Sequence, residues 1–135
     1  MASTLGAIRT AVYTALGATS LVECVPFGLP FATNKPYAEF GFTDGAADLE
    51  DENSIVYVDQ QWALAITGAT MEEADLALEE CLIALVPVGS FHTALGNAVI
   101  SWVPTAFYPQ MLVDDTVGYR AGLEGTVKIA YDYTP

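Results

Sequence analysis

The residues of this chain that could take part in catalysis are one histidine and a few carboxylates. His92 is the only histidine, and nucleophilic catalysis through it would require Ser90 or a cysteine beside it, together with an orienting acid. The chain contains no Gly-x-Gly-x-x-Gly, P-loop or His-Glu-x-x-His motif. We therefore interpret His92 as a loop residue after the second helix and predict that the chain is not an enzyme.

Two groups of carboxylates resemble functional sites in their spacing. Glu72 and Glu79 lie on one face of a predicted helix, two turns apart, but neither has the apolar pocket that acid–base catalysis requires. A second group could offer oxygen ligands to calcium, although its spacing does not match that of an EF-hand loop: Asp44, Asp48, Glu50 and Glu52. We expect solvated carboxylates at both places, with no bound metal and no cofactor.

The two cysteines are expected to be buried free thiols. Cys24 and Cys81 have no other Cys or His at ligand spacing nearby, so neither a disulfide framework nor a zinc site has support. Free cysteine usually behaves as a small apolar residue of the core.

The composition combines a large apolar fraction with strong negative charge. Apolar residues make up 53% of the chain, and 17 acidic side chains stand against 4 basic ones, for a net charge of −13. The length of 135 residues fits a single domain, residues 1–135, and a domain of this size buries only about two-thirds of its unfolded surface. So much apolar sequence indicates surface that is reserved for other subunits.

The charge also limits the partners. Binding to a phosphate backbone requires clustered basic residues, and those of this chain are few and scattered: Arg9, Lys35, Arg120 and Lys128. Sequence-specific DNA binding is therefore not expected. Adaptation to high salt is a second explanation of the acidity, and the sequence leaves it open. We also expect a soluble chain without a membrane span or signal peptide, because no uncharged apolar run of about 18 residues appears.

Hydrophobic periodicity predicts two helices and a sheet. The first helix carries apolar residues at three- and four-residue spacing: Leu5, Ile8, Val12 and Leu16, with Ser3 or Thr4 as the cap and Gly17 at the end. Strands are predicted at Tyr37–Phe42, Ser54–Ile66, Ala98–Val103 and Tyr119–Tyr133, and a short strand at the apolar run Leu21–Val25 before Pro26. Pro104 and Pro109 indicate that the strand at Ala98–Val103 is an edge strand or continues through a bulge.

The stretch between Thr43 and Asn53 is expected to be a loop that projects into solvent. It crowds acidic side chains around Gly45 and is too self-repelling to pack in a core. The strand that follows, Ser54–Ile66, is much longer than the usual five or six residues. We therefore expect a hairpin that extends beyond the core of the domain.

The second helix begins with a capping box, Thr70-Met71-Glu72-Glu73, and should run to about Val86. One of its faces is apolar and should cover the sheet. The opposite face is acidic, yet Leu76 and Ile83 lie within it, one heptad apart. Two interpretations stay open: scattered apolar residues, which are normal on a helix surface, or a narrow contact stripe for a neighbouring subunit.

The order of these elements resembles that of the tail terminator, or tail completion, proteins of long-tailed phages and related viruses. The resemblance lies in pattern and size rather than in a short motif. It covers nearly the whole chain: the Leu5–Leu16 helix, Tyr37–Phe42, the Trp62–Ile66 strand leading into Thr70–Leu85, and the Arg120–Tyr133 strand.

The resemblance implies an α/β (α+β) domain in which two helices pack on a single mixed or mostly antiparallel sheet, with a long hairpin that carries an acidic loop. It implies a structural protein of the virion tail or neck, made in the host cytoplasm. Such proteins form a homo-oligomeric ring, a hexamer, that caps the tail tube protein and ends its polymerisation. The ring docks to the head-tail connector or stopper protein, and DNA passes through it without specific binding.

On this interpretation, two sets of residues become candidate sites. The ring contacts are expected on the long hairpin and the second helix: Tyr57, Trp62, Leu76 and Ile83. Acidic residues are expected to face the channel, where they would repel DNA phosphates: Asp48, Glu50, Asp51 and Glu52.

Two other functions remain open. A neck or head-completion protein would act at the same junction, with a ring that could instead have twelve subunits. A ferredoxin-like binding module or enzyme subunit would require a pocket with convergent polar groups, and the sequence does not reveal one.

Overall fold

The computed structural model describes residues 3–27, 34–50, 54–114 and 118–133, with the backbone alone for residues 50 and 110–114. Within these ranges the chain forms three helices and five strands. In chain order they are α1 (Thr4–Leu16), β1 (Glu23–Pro26), β2 (Tyr37–Glu50), β3 (Ile55–Gly68), α2 (Met71–Ala84), α3 (Gly89–Leu95), β4 (Val99–Asp114) and β5 (Gly118–Asp132).

The strands form one mixed sheet in the order β1-β2-β3-β5-β4. β1 lies parallel to β2, and the other neighbouring pairs are antiparallel. α2 packs against β3, β4 and β5, and α1 contacts both other helices. The α+β class and the mixed sheet predicted from the sequence are therefore confirmed.

Both predicted helix starts are confirmed by their capping hydrogen bonds. The Ser3 hydroxyl accepts from the Gly6 N–H at 2.9 Å, and α1 ends before Gly17. At α2 the Thr70 hydroxyl accepts from the Glu73 N–H at 3.1 Å, and the Glu73 carboxylate accepts from the Ala69 N–H at 2.9 Å. These bonds satisfy amides that a helix start otherwise leaves unpaired.

The number of helices differs from the prediction, because α3 follows α2 where a loop was expected. Phe91 and Leu95, one helical turn apart, are both buried, and Gly96 ends the helix at a φ of 87°. His92 is thus an exposed helical residue and not a loop residue. The helix has only seven residues and no side-chain cap. It therefore lacks the long apolar periodicity and the capping residue that mark α1 and α2 in the sequence.

The acidic stretch also differs from the prediction. β2 does not end at Phe42 but continues to Glu50, paired with β3 through a bulge between Phe42 and Gly45. The Gln60 side chain donates to the Thr43 carbonyl at 2.8 Å and satisfies it at the bulge. Strand pairing provides backbone hydrogen bonds while the charged side chains stay in water, so self-repulsion does not exclude a strand here. Residues 51–53 of the expected loop lie outside the described residues.

The core lies between the helices and one face of the sheet, and two tryptophans form its centre. The rings of Trp62 and Trp102 stack with centroids 4.5 Å apart and an interplanar angle of 9°. The Trp102 indole N–H donates to the Leu85 carbonyl at 2.9 Å, which ties β4 to the end of α2. Gly125 lies directly against the Trp62 ring, where a Cβ atom would clash. Buried side chains of all three helices belong to the same core cluster as this face of the sheet. The three helices therefore lie on one side of the sheet.

β4 is an edge strand with irregular pairing, as its prolines predicted. Its register against β5 shifts at Val99/Ser101, at Pro104/Ala106 and at Tyr108/Leu112. Proline cannot donate a ladder hydrogen bond, and bulges bend a strand away from a regular edge. This edge is therefore a poor template for adding another strand. None of the helices in the described part of the chain is long and apolar enough to span a bilayer.

Candidate subunit-contact surfaces

Three strands of the sheet extend past the helices and form a projection that we call the arm. It consists of residues 43–50 of β2, 54–60 of β3 and 128–133 of β5, which pair across the sheet. α1 reaches β2 as far as Phe42, whose ring centroid lies 5.3 Å from the Arg9 guanidinium carbon. Beyond that point residues 43–49 are all exposed, whereas residues 66–68 of β3 are fully buried. The β2 part of the arm is therefore outside the core, whereas on β5 Ile129 is 0% exposed and belongs to the core.

One face of the arm is apolar. The register places Ala47, Val58 and Ile129 in one row across the strands, and Leu49, Val56 and Tyr131 in the next row on the same face. Successive residues of a strand point to opposite faces, so this is the face that continues the helix-covered side of the sheet. Leu49 is 58% exposed. Ile129 is 0% exposed and Tyr131 packs against the core, so the apolar surface that lies open to water is the β2 and β3 part of this face.

The opposite face of the arm is mainly acidic. Asp48 lies in one row with Tyr57, and Asp59 lies in the neighbouring row with Lys128. Asp48 and Asp59 are exposed, and the Lys128 ammonium lies 5.3 Å from the centroid of the Tyr57 ring. This face is not covered by a helix. The arm therefore separates an apolar surface from a charged one by the thickness of a single sheet.

The acidity continues along the uncovered face of the sheet. Glu124 is exposed there, and Glu39 accepts from the Arg120 guanidinium at 3.2 Å. Arg120 also donates to the buried Thr67 hydroxyl at 3.4 Å. The ion pair therefore neutralises one carboxylate of this face and leaves Glu124 in water.

The predicted contact residues do not come together on one surface. Leu76 and Ile83 lie on the outer side of α2, 53% and 73% exposed, as predicted. Tyr57 lies on the acidic face of the arm. The prediction that Trp62 is a subunit contact is wrong. Its side chain lies in the core, is 1% exposed and cannot contact another subunit. Strand alternation placed it correctly on the face of Leu64 and Ile66, but that is the helix-covered face.

The predicted channel-facing residues fall only partly within the described residues. Asp48 is exposed on the arm, and Glu50 ends β2 at the register position opposite Ile55. Asp51 and Glu52 lie outside the described residues. Asp59 and Glu124 are further carboxylates of the uncovered face that the sequence analysis did not select. Strand alternation alone would have placed Asp59 on the same face as Tyr57, because the two residues lie two positions apart on one strand.

The helices enclose an apolar groove on the side that faces away from the sheet. We call it the helix groove; its volume is about 310 Å³, and it lies where α1, the end of α2 and α3 meet. Its lining contains no ionisable side chain among the described residues: Ala11, Thr14, Ala15, Ala18, Ile83, Ala84, Val86, Val88, Ser90, Phe91 and Ala94. The groove was not predicted from the sequence, because α3, which forms one wall, was not predicted.

The described titratable groups do not form a catalytic or metal-binding arrangement. In the described ranges no three His, Cys, Asp or Glu side chains are grouped so that they could hold a metal ion. Burial raises the pKa of the Cys24 thiol to about 12, and burial with nearby negative charge raises that of Cys81 to about 12. Cys81 is fully buried, as predicted, and Cys24 is half-buried. Neutral thiols of this kind are poor nucleophiles.

The raised pKa of Cys81 predicts a loss of stability at alkaline pH. An unfolded thiol ionises near its ordinary pKa of 9.0, while the folded thiol keeps its proton to about 12. The stabilising contribution is therefore complete below pH 9 and is lost as the pH rises from 9 towards 12. Urea unfolding midpoints measured between pH 7 and pH 11 should fall more steeply for the wild type than for Cys81→Ala. Parallel pH profiles for the two proteins would contradict this prediction.

Comparisons with known proteins do not assign this chain to a family. No family model matches it, and no curated protein matches it either. The function must therefore be inferred from the geometry and charge of the chain itself.

Proposed function

We propose that this chain is the subunit of a ring that acts as a tail terminator, capping a tail tube and joining it to the head connector. The arm is the observation that supports this proposal most directly. It carries an apolar face with Leu49 and Val56 and, one sheet thickness away, an acidic face with Asp48 and Asp59. A ring around a DNA channel needs both surfaces, one for a neighbouring subunit and one for the passage.

The charge gives the acidic face a physical role. Six copies at −13 each carry −78, and their carboxylates would dominate the potential inside a narrow passage. DNA phosphates are repelled by such a wall, so the genome passes without being retained. Lys128 is held over the Tyr57 ring, and Arg120 is paired with Glu39, so both basic groups of this face already have partners.

The apolar surfaces suit a cyclic assembly. Subunits of a ring meet through two different, complementary patches. The apolar face of the arm and the outer side of α2 with Leu76 and Ile83 are two such patches at different places on the fold. By contrast, β4 is irregular at one edge, and the other edge consists of the short β1 followed by the bulged, acidic end of β2, which makes both poor contact surfaces.

The subunit count tests the ring. Native mass spectrometry and negative-stain images of the purified chain, alone and with a tail tube protein, should give a six-membered ring. A twelve-membered ring would favour a neck or head-completion protein over a tail terminator. A monomer at every concentration, with and without the tube protein, would contradict both ring functions.

The terminator function itself is tested by tube growth. Tube protein polymerising in vitro should stop lengthening when the chain is added, and the chain should be seen at one end of each tube. The control is the same chain with Leu76→Glu and Ile83→Glu. Both side chains are exposed, so the fold should stay intact, but the ring contact is lost and the tubes should keep lengthening. Unchanged growth in the presence of assembled wild-type rings would contradict termination while leaving the ring intact.

A further inference from the structure

We propose that the apolar face of the arm of one copy docks in the helix groove of the next copy, and that this contact closes the ring. The inference rests on the proposed function and names its subunit interface. The occupant of the groove is thus a second copy of this chain, in a contact between two different surfaces.

The exposed area supports a partner of this size. The chain exposes 7684 Å², whereas a compact monomer of its mass exposes roughly 6,800 Å². A subunit of a ring takes part in two interfaces and buries roughly 800 Å² in each, so the excess of about 900 Å² corresponds to one of the two. Residues 43–49 of the arm are all exposed and contribute to this area.

The distribution of charge favours a second copy. Two chains at −13 repel each other, so they can approach closely only where both surfaces are neutral. The helix groove has no ionisable side chain in its lining among the described residues, and the two apolar rows of the arm face, from Ala47 to Tyr131, contain no Asp, Glu, Lys, Arg or His. A basic partner would instead be drawn to the acidic faces, which lie elsewhere.

The fold prevents the arm from filling the groove of its own chain. The buried side of α1, with Ile8 and Val12, faces the sheet, while exposed residues such as Thr14 and Val88 line the groove. The helical layer therefore lies between the groove and the sheet to which the arm belongs. An arm that docks in the groove must therefore come from another copy. Each subunit then offers one projection and accepts one, which is the contact that generates rings.

Cysteine cross-linking tests which surfaces meet. Leu49 on the arm and Val88 in the groove are 58% and 66% exposed, so Leu49→Cys with Val88→Cys should fold normally. The native Cys24 and Cys81, with pKa values raised to about 12, should react little at neutral pH. Mild oxidation of the doubly substituted protein should give a covalent ladder on a non-reducing gel, ending at the ring size. Each single variant should give no ladder beyond a dimer.

A charge exchange tests the energetics of the same contact. Leu49→Lys alone, or Ile83→Glu alone, should raise the concentration for half-assembly at least about tenfold, because each places an unpaired charge in an apolar interface. Both changes in one chain should restore assembly, since every junction then pairs a lysine with a glutamate. Met71→Glu is the matched control: Met71 lies at the other end of α2 and is 45% exposed, and assembly should not change.

The outcomes separate this inference from the proposed function. Rings that form normally with Leu49→Lys, or a double cysteine variant that forms rings without a covalent ladder, would overturn the docking of the arm and leave the ring in place. A chain that does not assemble at all, even with its tail tube, would overturn the proposed function first. Folding of each variant is checked independently by its urea unfolding midpoint.

Discussion

Replacing Trp102 with alanine should lower the free energy of unfolding by about 3–5 kcal/mol. The Trp102 side chain is 3% exposed, stacks on Trp62 and meets the ring of Phe91 edge-on with centroids 5.3 Å apart. Its loss would open a cavity between α2, α3 and the sheet. Because small domains are stable by only about 5–15 kcal/mol, the variant should unfold at much lower urea concentration than the wild type.

A pair of phenylalanine substitutions isolates the hydrogen bond of Trp102. Its indole N–H donates to the Leu85 carbonyl, whereas the Trp62 N–H, equally buried, has no partner among the described residues. Trp102→Phe leaves a buried carbonyl unsatisfied, while Trp62→Phe removes a donor that is already unsatisfied. We expect Trp102→Phe to cost about 1–3 kcal/mol more than Trp62→Phe. Equal urea midpoints for the two would show that the bond contributes little.

Reversing the charge of the acidic arm face should convert a surface that repels DNA into one that retains it. Asp48→Lys with Asp59→Lys changes the charge of each chain by +4, so the net charge of a ring of six rises by 24, from −78 to −54, and all of this change lies on the arm face. Contacts between lysines and phosphates release counterions, and the affinity should fall steeply with added salt. Gel-shift titrations with duplex DNA should show binding by the assembled variant and none by the wild type.

The shape of the DNA locates the charges within the ring. If the acidic face lines the passage, preassembled rings of this variant should bind linear duplex, which can thread, and not closed circular DNA. Glu72→Lys with Glu79→Lys makes the same charge change on the outer face of α2 and should bind both forms alike. Equal binding of circular and linear DNA by the arm variant would place its acidic face outside the passage.

Local signals made most of the fold predictable from the sequence. The spacing of Leu5 to Leu16, the Thr70 capping box and the alternation from Ser54 to Ile66 all correspond to structure that short segments determine. The edge position of β4 could be predicted from Pro104, because a residue without an N–H cannot donate a hydrogen bond to a neighbouring strand. These elements need little tertiary information.

The remaining features depend on contacts that no short segment carries. The strand at residues 43–50 is polar and charged, and it forms because β3 provides hydrogen-bond partners along its length. α3 is held by the burial of Phe91 against Trp102, a residue eleven positions away. Trp62 was misplaced for the same reason, because alternation identifies the two faces of a strand but not which face the helices cover.

The blunted edges of the sheet have a consequence for how this polypeptide behaves when it is concentrated. An open, regular border invites strands from other molecules and leads to fibres without a defined end. Here the kinked β4, with its two prolines, closes one border, and carboxylates crowd the other beyond Phe42. These features disfavour pairing of strands between molecules, so an assembly of the kind proposed would rest on side-chain contacts, which can finish after a fixed number of copies and can come apart again.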